Sequence, residues 1–149
     1  MFNKKNIIFG TIVIVGIIFT TLWYVSTRVY SFNGNKIEKI SIGNNIFYSE
    51  IVRDADKMQG GLGGRSSLCQ SCAILFQFST AGKYTFWMKD MRFPLDIIWV
   101  SNGRIVYLEK NVSEKFSGIM VTPVDADWVI EINSGVSDKL GIKIGDSVR

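Results

Sequence analysis

Four side chains, Arg65, Trp87, Lys89 and Asp96, have the types and spacing that could hold or act on a ligand. Asp96 stands in Pro94-Leu95-Asp96-Ile97-Ile98-Trp99-Val100, where the two-residue period of a strand puts it on one face with Ile98 and Val100. A carboxylate on an apolar face must find donors or bear a desolvation cost of several kcal/mol. Three readings fit: Asp96 accepts structural hydrogen bonds from backbone or arginine, it binds a ligand or moves a proton, or it lies exposed. In Phe86-Trp87-Met88-Lys89 the alternation pairs Trp87 with Lys89. An indole beside an ammonium can line a pocket for a small anionic or sugar-like ligand, and can equally be a core tryptophan beside a surface lysine. Arg65 closes Gly60-Gly61-Leu62-Gly63-Gly64-Arg65, and a guanidinium at such a bend can clamp a carboxylate, Asp96 being the candidate. Lys89, Asp90 and Arg92 cluster before Pro94, which a local salt-bridged turn would explain.

Other chemistry is excluded or thinly supported. The 149 residues contain no histidine, which removes histidine-based triads and the common histidine-containing zinc sites. The glycine-rich run lacks the Lys-Ser/Thr pair of a phosphate loop. There is no G-x-S-x-G elbow. Asp125 and Asp127 fit a solvated loop, and Asp146 after Gly145 fits a turn residue bonded to nearby amides. Cys69-Gln70-Ser71-Cys72 supplies only two zinc ligands with none to complete four, so no metal site and no cofactor are expected. The pair runs into an apolar strand rather than a helix, unlike thioredoxin-type sites. A small loop-closing disulfide is the first choice in an oxidising compartment, with free thiols, redox exchange and shared metal binding as alternatives.

The elements that must position these residues are mostly strands. Ile37–Ile42 alternates, Gly43-Asn44-Asn45 turns, and Ile46–Val52 returns. Asp54 caps a short helix through Met58 or Leu62, which the glycines at 60, 61, 63 and 64 must soon end. Strands follow at Ala73–Phe78, Tyr84–Met88, Leu95–Val100 and Ile105–Glu109, the last two joined through Asn102-Gly103, and then at Trp128–Ile132. Gly135–Leu140 reads as a helix closed by Gly141. Six to eight short strands with one or two short helices predict a mainly β domain over 37–149, a compact β-sandwich or open β-barrel rather than a parallel α/β sheet.

The chain ahead of this domain is of another kind. Ile7–Val25 is nineteen residues without a charge. As a helix it spans roughly 28 Å, close to the ~30 Å of a bilayer's hydrocarbon. Trp23 and Tyr24 suit the interface at its far end. The run is longer than the apolar core of a signal peptide, and no small-x-small cleavage pattern follows. We therefore expect an uncleaved single-pass membrane anchor in 1–25 and a polar tether in 26–36. The charges flanking the span are nearly balanced, but the basic leader with Lys4 and Lys5 resembles a secretory targeting segment, which puts the domain outside the cytoplasm.

The basic balance belongs to the anchor. Lys4, Lys5 and Arg28 supply three of the 17 basic residues and none of the 13 acidic residues precedes Glu38, so 14 face 13 from Val29 onward. With no basic cluster interleaved with aromatics, no nucleic-acid binding is expected. The partners expected are the membrane, through 7–25, and an envelope protein or the small ligand named above.

Four segments together resemble a known family. Gly61-Leu62-x-x-Arg65, Ala73-Ile74-Leu75-Phe76-x-Phe78, Phe86-Trp87-Met88-Lys89-Asp90-Met91 and Pro94-Leu95-Asp96-Ile97 are similar to the prokaryotic DUF192 family, whose runs are G-L-M-x-R, G-M-L-F-x-F, F-W-M-K-N-T and P-L-D-I. Gly141-Ile142-Lys143-Ile144-Gly145-Asp146-Ser147-Val148 resembles its G-I-x-x-G-D-x-V ending. Asp90, Met91 and Gly63 depart from the usual residues, and the cysteine pair is not general. The resemblance implies a strand-rich domain often found behind a signal segment or anchor, and brings no established catalytic activity. Arg65, Trp87, Lys89 and Asp96 match its most characteristic positions.

Two functions compete. One is a non-enzymatic ligand-binding or envelope assembly module. The other is a small extracytoplasmic enzyme or ligand sensor in which Arg65 and Lys89 hold an anion beside Trp87, and Asp96 orients them or moves a proton.

Overall fold

The structure, a computed structural model, describes residues 34–149. The expected span at 7–25 and most of the tether lie outside the described residues; within them, no helix is long and apolar enough to cross a membrane. In chain order the elements are β1 (Lys36–Ile42), β2 (Asn45–Val52), α1 (Ala55–Gly60), β3 (Cys72–Gly82), β4 (Thr85–Phe86), β5 (Leu95–Ser101), β6 (Arg104–Val112), β7 (Met120–Val121), β8 (Ala126–Asn133) and α2 (Val136–Leu140).

The alternating residues on either side of Gly43 pair as the antiparallel hairpin β1–β2. The next strand does not continue that meander. α1 and the glycine-rich loop cross one face of the sheet, so β3 returns parallel to β2. The large sheet has the order β1-β2-β3-β8-β5-β6, every other neighbouring pair being antiparallel, and β4–β7 forms a separate two-stranded ribbon. At the chain end Val148 bridges Ile42 of β1 while Ser147 bridges Arg104 of β6. Both outer strands thus touch one short segment, which requires the sheet to curl until its edges nearly meet at that end. The bridges are isolated, so the barrel is not closed, and the second sheet is only the ribbon rather than an equal layer of a sandwich.

The central strands explain this arrangement. Leu95–Val100 is buried at every position, so β5 needs cover on both faces. On the inner face, Ile42, Phe47, Leu75, Ile98, Ile130 and Ile132 pack together with Val136 of α2. On the outer face, Ile74, Phe76, Ile97, Trp99 and Val129 are covered by Leu62 of the glycine-rich loop and by Met88. The expected strand Tyr84–Met88 shortens to Thr85–Phe86, because Met88 dives into this core and the chain then turns, with Asp90 at φ +59.

Cys69 and Cys72 form a disulfide at the entrance to β3, with sulfurs 2.07 Å apart. Asn133 Nδ2 donates to the carbonyls of Leu68 (2.9 Å) and Cys69 (3.1 Å), tying the bridged turn to β8. So short a loop removes little unfolded-chain entropy, about 2 kcal/mol at most.

Candidate functional site

Register places two acids on the outer face. Glu50 of β2 pairs with Ile74 of β3, Ile74 with Glu131 of β8, and Glu131 with Ile97 of β5. Glu50 and Glu131 are therefore two strands apart in one row, about 10 Å at the backbone. Both are buried.

The glycine-rich loop carries a cation to this row. Leu62 inserts into the outer core and Gly61 takes φ +46 to let the chain descend. A Cβ at Gly63 would lie 3.0 Å from the Gly60 carbonyl and 3.2 Å from that of Lys89, so backbone meets backbone here. Arg65, 7% exposed, then points both Nη groups at Glu50, with Nη2 2.9 Å from Oε2 and Nη1 on Oε1. Asn35 Nδ2 also donates to Glu50 Oε2, at 3.3 Å. This is a bidentate buried pair, the geometry for which a guanidinium is suited.

Glu131 is left in a different state. It is 5% exposed, and among the described residues no hydrogen bond reaches its carboxyl. Burial pushes it up to about 8, the attraction of Arg65 opposing this only in part. At neutral pH it is an uncharged acid. It lies on the floor of a cleft of about 420 Å³ between α1 with its glycine-rich loop and the segment through β4. Phe76, Phe78, Tyr84, Phe86 and Trp87 give the cleft an aromatic lining. That volume is in the range of small-molecule sites, and a buried acid with a perturbed titration on the floor of a concavity makes this one a candidate.

The sequence profile of the DUF192 family, described as an uncharacterized ACR, matches residues 38–149. The chain belongs to the DUF192 family. No curated protein matches it in sequence. Two solved structures are similar. A protein of unknown function from Novosphingobium aromaticivorans has 28% identity and a TM-score of 0.77, with 82% of this chain and 91% of that one covered. A proposed transcription regulator from Sinorhizobium meliloti 1021 has 22% identity and a TM-score of 0.75, with 77% and 94% covered, and bears on the fold alone.

In this DUF192 domain the four residues singled out from sequence divide. Trp87, 40% exposed, and Lys89 line the cleft. Arg65 lies beneath, engaged with Glu50; the clamp onto Asp96 is not formed. Asp96 pairs with Ile132 and so faces the inner core, on the opposite side of the sheet from Glu131. Its Oδ1 accepts from the amides of Asn111 (2.8 Å) and Gly135 (3.2 Å), and its Oδ2 from Ser137 (2.9 Å). The cap residue of α2 is Gly135, which has no side chain, so Asp96 supplies the missing acceptor from another strand. Asp96→Asn should destabilise the DUF192 domain by about 2–3 kcal/mol, one acceptor oxygen becoming a donor that faces an amide. Chemical denaturation checks this.

Other expectations shift too. Asp90 and Arg92 make no ion pair among the described residues; the Asp90 carbonyl accepts from Gly64 N at 2.8 Å instead. Asp127 is a half-buried member of β8 rather than a loop residue. Lys143 holds the Asp146 carboxyl below the usual range, by hydrogen bonds from its side chain and its amide, which fits a turn residue. Sequence reasoning missed Glu50 and Glu131. The available signal was the one that marked Asp96: an acid inside an apolar strand, as in Trp128-Val129-Ile130-Glu131-Ile132.

Proposed function

We propose that this DUF192 protein is a membrane-tethered, extracytoplasmic, non-enzymatic binding module that captures a small ligand in the cleft above Glu131. The aromatic-walled cleft with one buried acid on its floor carries this reading. Exposed Trp87 at its wall is a ready stacking surface. Of the trio expected to do catalysis only Lys89 lines the cleft, since Arg65 is engaged with Glu50 and Asp96 faces the other side of the sheet. The envelope-partner version draws support from an apolar rim. Thr85 pairs with Val121 and Phe86 with Met120, so exposed Ile119 (65%) and Val121 (58%) stand beside the cleft.

A panel of small molecules of mixed charge, screened against the full-length protein by NMR at the Trp87 indole and the Gly60–Gly63 amides, tests the ligand reading. At least one class should shift these resonances together, and Trp87→Ala should weaken it about tenfold through lost stacking. A silent cleft across the panel would overturn the reading. External protease should reach the domain in intact spheroplasts; protection until the membrane is broken would overturn the placement.

A further inference from the structure

We infer that the cleft is built for an organic cation, an alkylammonium group that meets the Glu131 carboxylate at the floor while the aromatic walls enclose its alkyl substituents. This rests on the cleft being a ligand site, and it names the ligand's chemistry. The first support is the Glu131 side chain, more than nine-tenths buried, opening onto the cleft, and receiving no hydrogen bond among the described residues. Arg65, the charged neighbour that acts on it, has both Nη groups aimed at Glu50. Among the described residues, then, no donor is directed at this acid.

The second support is the balance of charge around that acid. Arg65 from the loop is offset by Glu50 from β2. Asp56 from α1 and Lys89 from the turn after β4 also line the cleft, and are of opposite sign. Tyr84 completes the titratable groups facing it. Glu131 is thus the charge left over once it ionises. The third support is the wall. Phe76, Phe78, Tyr84, Phe86 and Trp87 form the kind of aromatic surround that attracts a cation through the negative faces of its rings. An anion would instead meet an acid and a ring of π-electron density, with the exposed Lys89 alone in its favour.

The proton must be accounted for. In the empty site Glu131 holds it; a cation displaces it, leaving the carboxylate paired with the ligand and one proton released to solvent. Affinity for a cation therefore rises with pH until Glu131 is already ionised in the free protein. A neutral ligand that accepts a hydrogen bond from the protonated acid would show the opposite slope. The sign of the pH dependence separates the two.

The test uses three probes of one shape on the full-length protein: tetramethylammonium, whose charge does not titrate, neutral tert-butanol, and anionic pivalate. Tetramethylammonium should shift the Trp87 and Gly60–Gly63 resonances, with affinity rising about a hundredfold from about pH 6 to about pH 9, as a site titrating near 8 requires. Calorimetry in buffers of different ionisation heat should show close to one proton released at the lower pH. Glu131→Gln should abolish the pH dependence and cost at least tenfold in affinity at the higher pH. If that variant does not fold, the wild-type Glu131 carboxyl resonance serves instead: tetramethylammonium must lower its titration midpoint, and an unmoved midpoint overturns the inference. Binding of tert-butanol or pivalate at the same resonances as tightly as tetramethylammonium would overturn the cation while leaving the cleft a ligand site. Silence from these probes and from the wider panel would bring down both.

Discussion

Glu131→Gln should stabilise the protein by about 5 kcal/mol at about pH 9 and change it little below pH 4.5. Below its ordinary value of 4.5 the acid is neutral in folded and unfolded chains alike, so glutamine replaces like with like. Between 4.5 and about 8 the unfolded chain releases the proton while the folded chain, burying Glu131, retains it. The folded state then binds more protons than the unfolded one, and stability falls as pH rises. Above about 8 the folded acid ionises too, and the difference levels off. A span of about 3.5 pH units at 1.36 kcal/mol each sets the magnitude. It is a large fraction of the 5–15 kcal/mol that holds an ordinary domain together. Urea unfolding of both proteins across this range would check it. A difference between them that does not change with pH would show that Glu131 ionises in the fold as it does in solvent.

Arg65→Met should destabilise the protein by about 3–5 kcal/mol, because the buried Glu50 would lose the guanidinium that meets both its oxygens. The double variant Glu50→Gln with Arg65→Met should recover most of that loss, since the cost lies in burying the acid away from its guanidinium rather than in the missing packing contact. Lysine is a poor substitute, as an ammonium cannot make the parallel pair of bonds. A second readout follows from position. Arg65 is the group that draws the Glu131 carboxyl down, so Arg65→Met should move the Glu131 midpoint up from about 8. Denaturation midpoints test the first effect and carboxyl NMR the second. Equal losses for the single and double variants would show that contact rather than charge is what Arg65 contributes.

Much of this was legible in the residues. Strand signals marked β1, β2, β5, β6 and β8 to within a few residues, by alternation in β1 and by short apolar runs bounded by turns in the others. Asn102-Gly103 marked a hairpin and the structure places both at positive φ, +50 and +68. Gly141 closes α2 in the left-handed region, at φ +67, as a helix-terminating glycine should. The cysteine spacing allowed a local disulfide, and the joined motifs carried the family.

The sequence by itself determined the strands of the large sheet, which turns need glycine, and which acids stand among apolar neighbours; the β4–β7 ribbon it did not. Only the tertiary structure decided what those acids do. Asp96 and Glu131 carry the same local signal, yet one faces the inner core and caps α2, whereas the other faces outward and sits unmet under a cleft. Period fixes a side chain's face relative to its own strand. Which face becomes inner, and who stands opposite, depends on registers that join β8 to β3 and β5, residues 28 or more positions apart in the chain. The same holds for Arg65: the parallel return of β3, invisible in the pattern of any one strand, is what carries the loop over β2 and delivers the guanidinium to Glu50 rather than to Asp96.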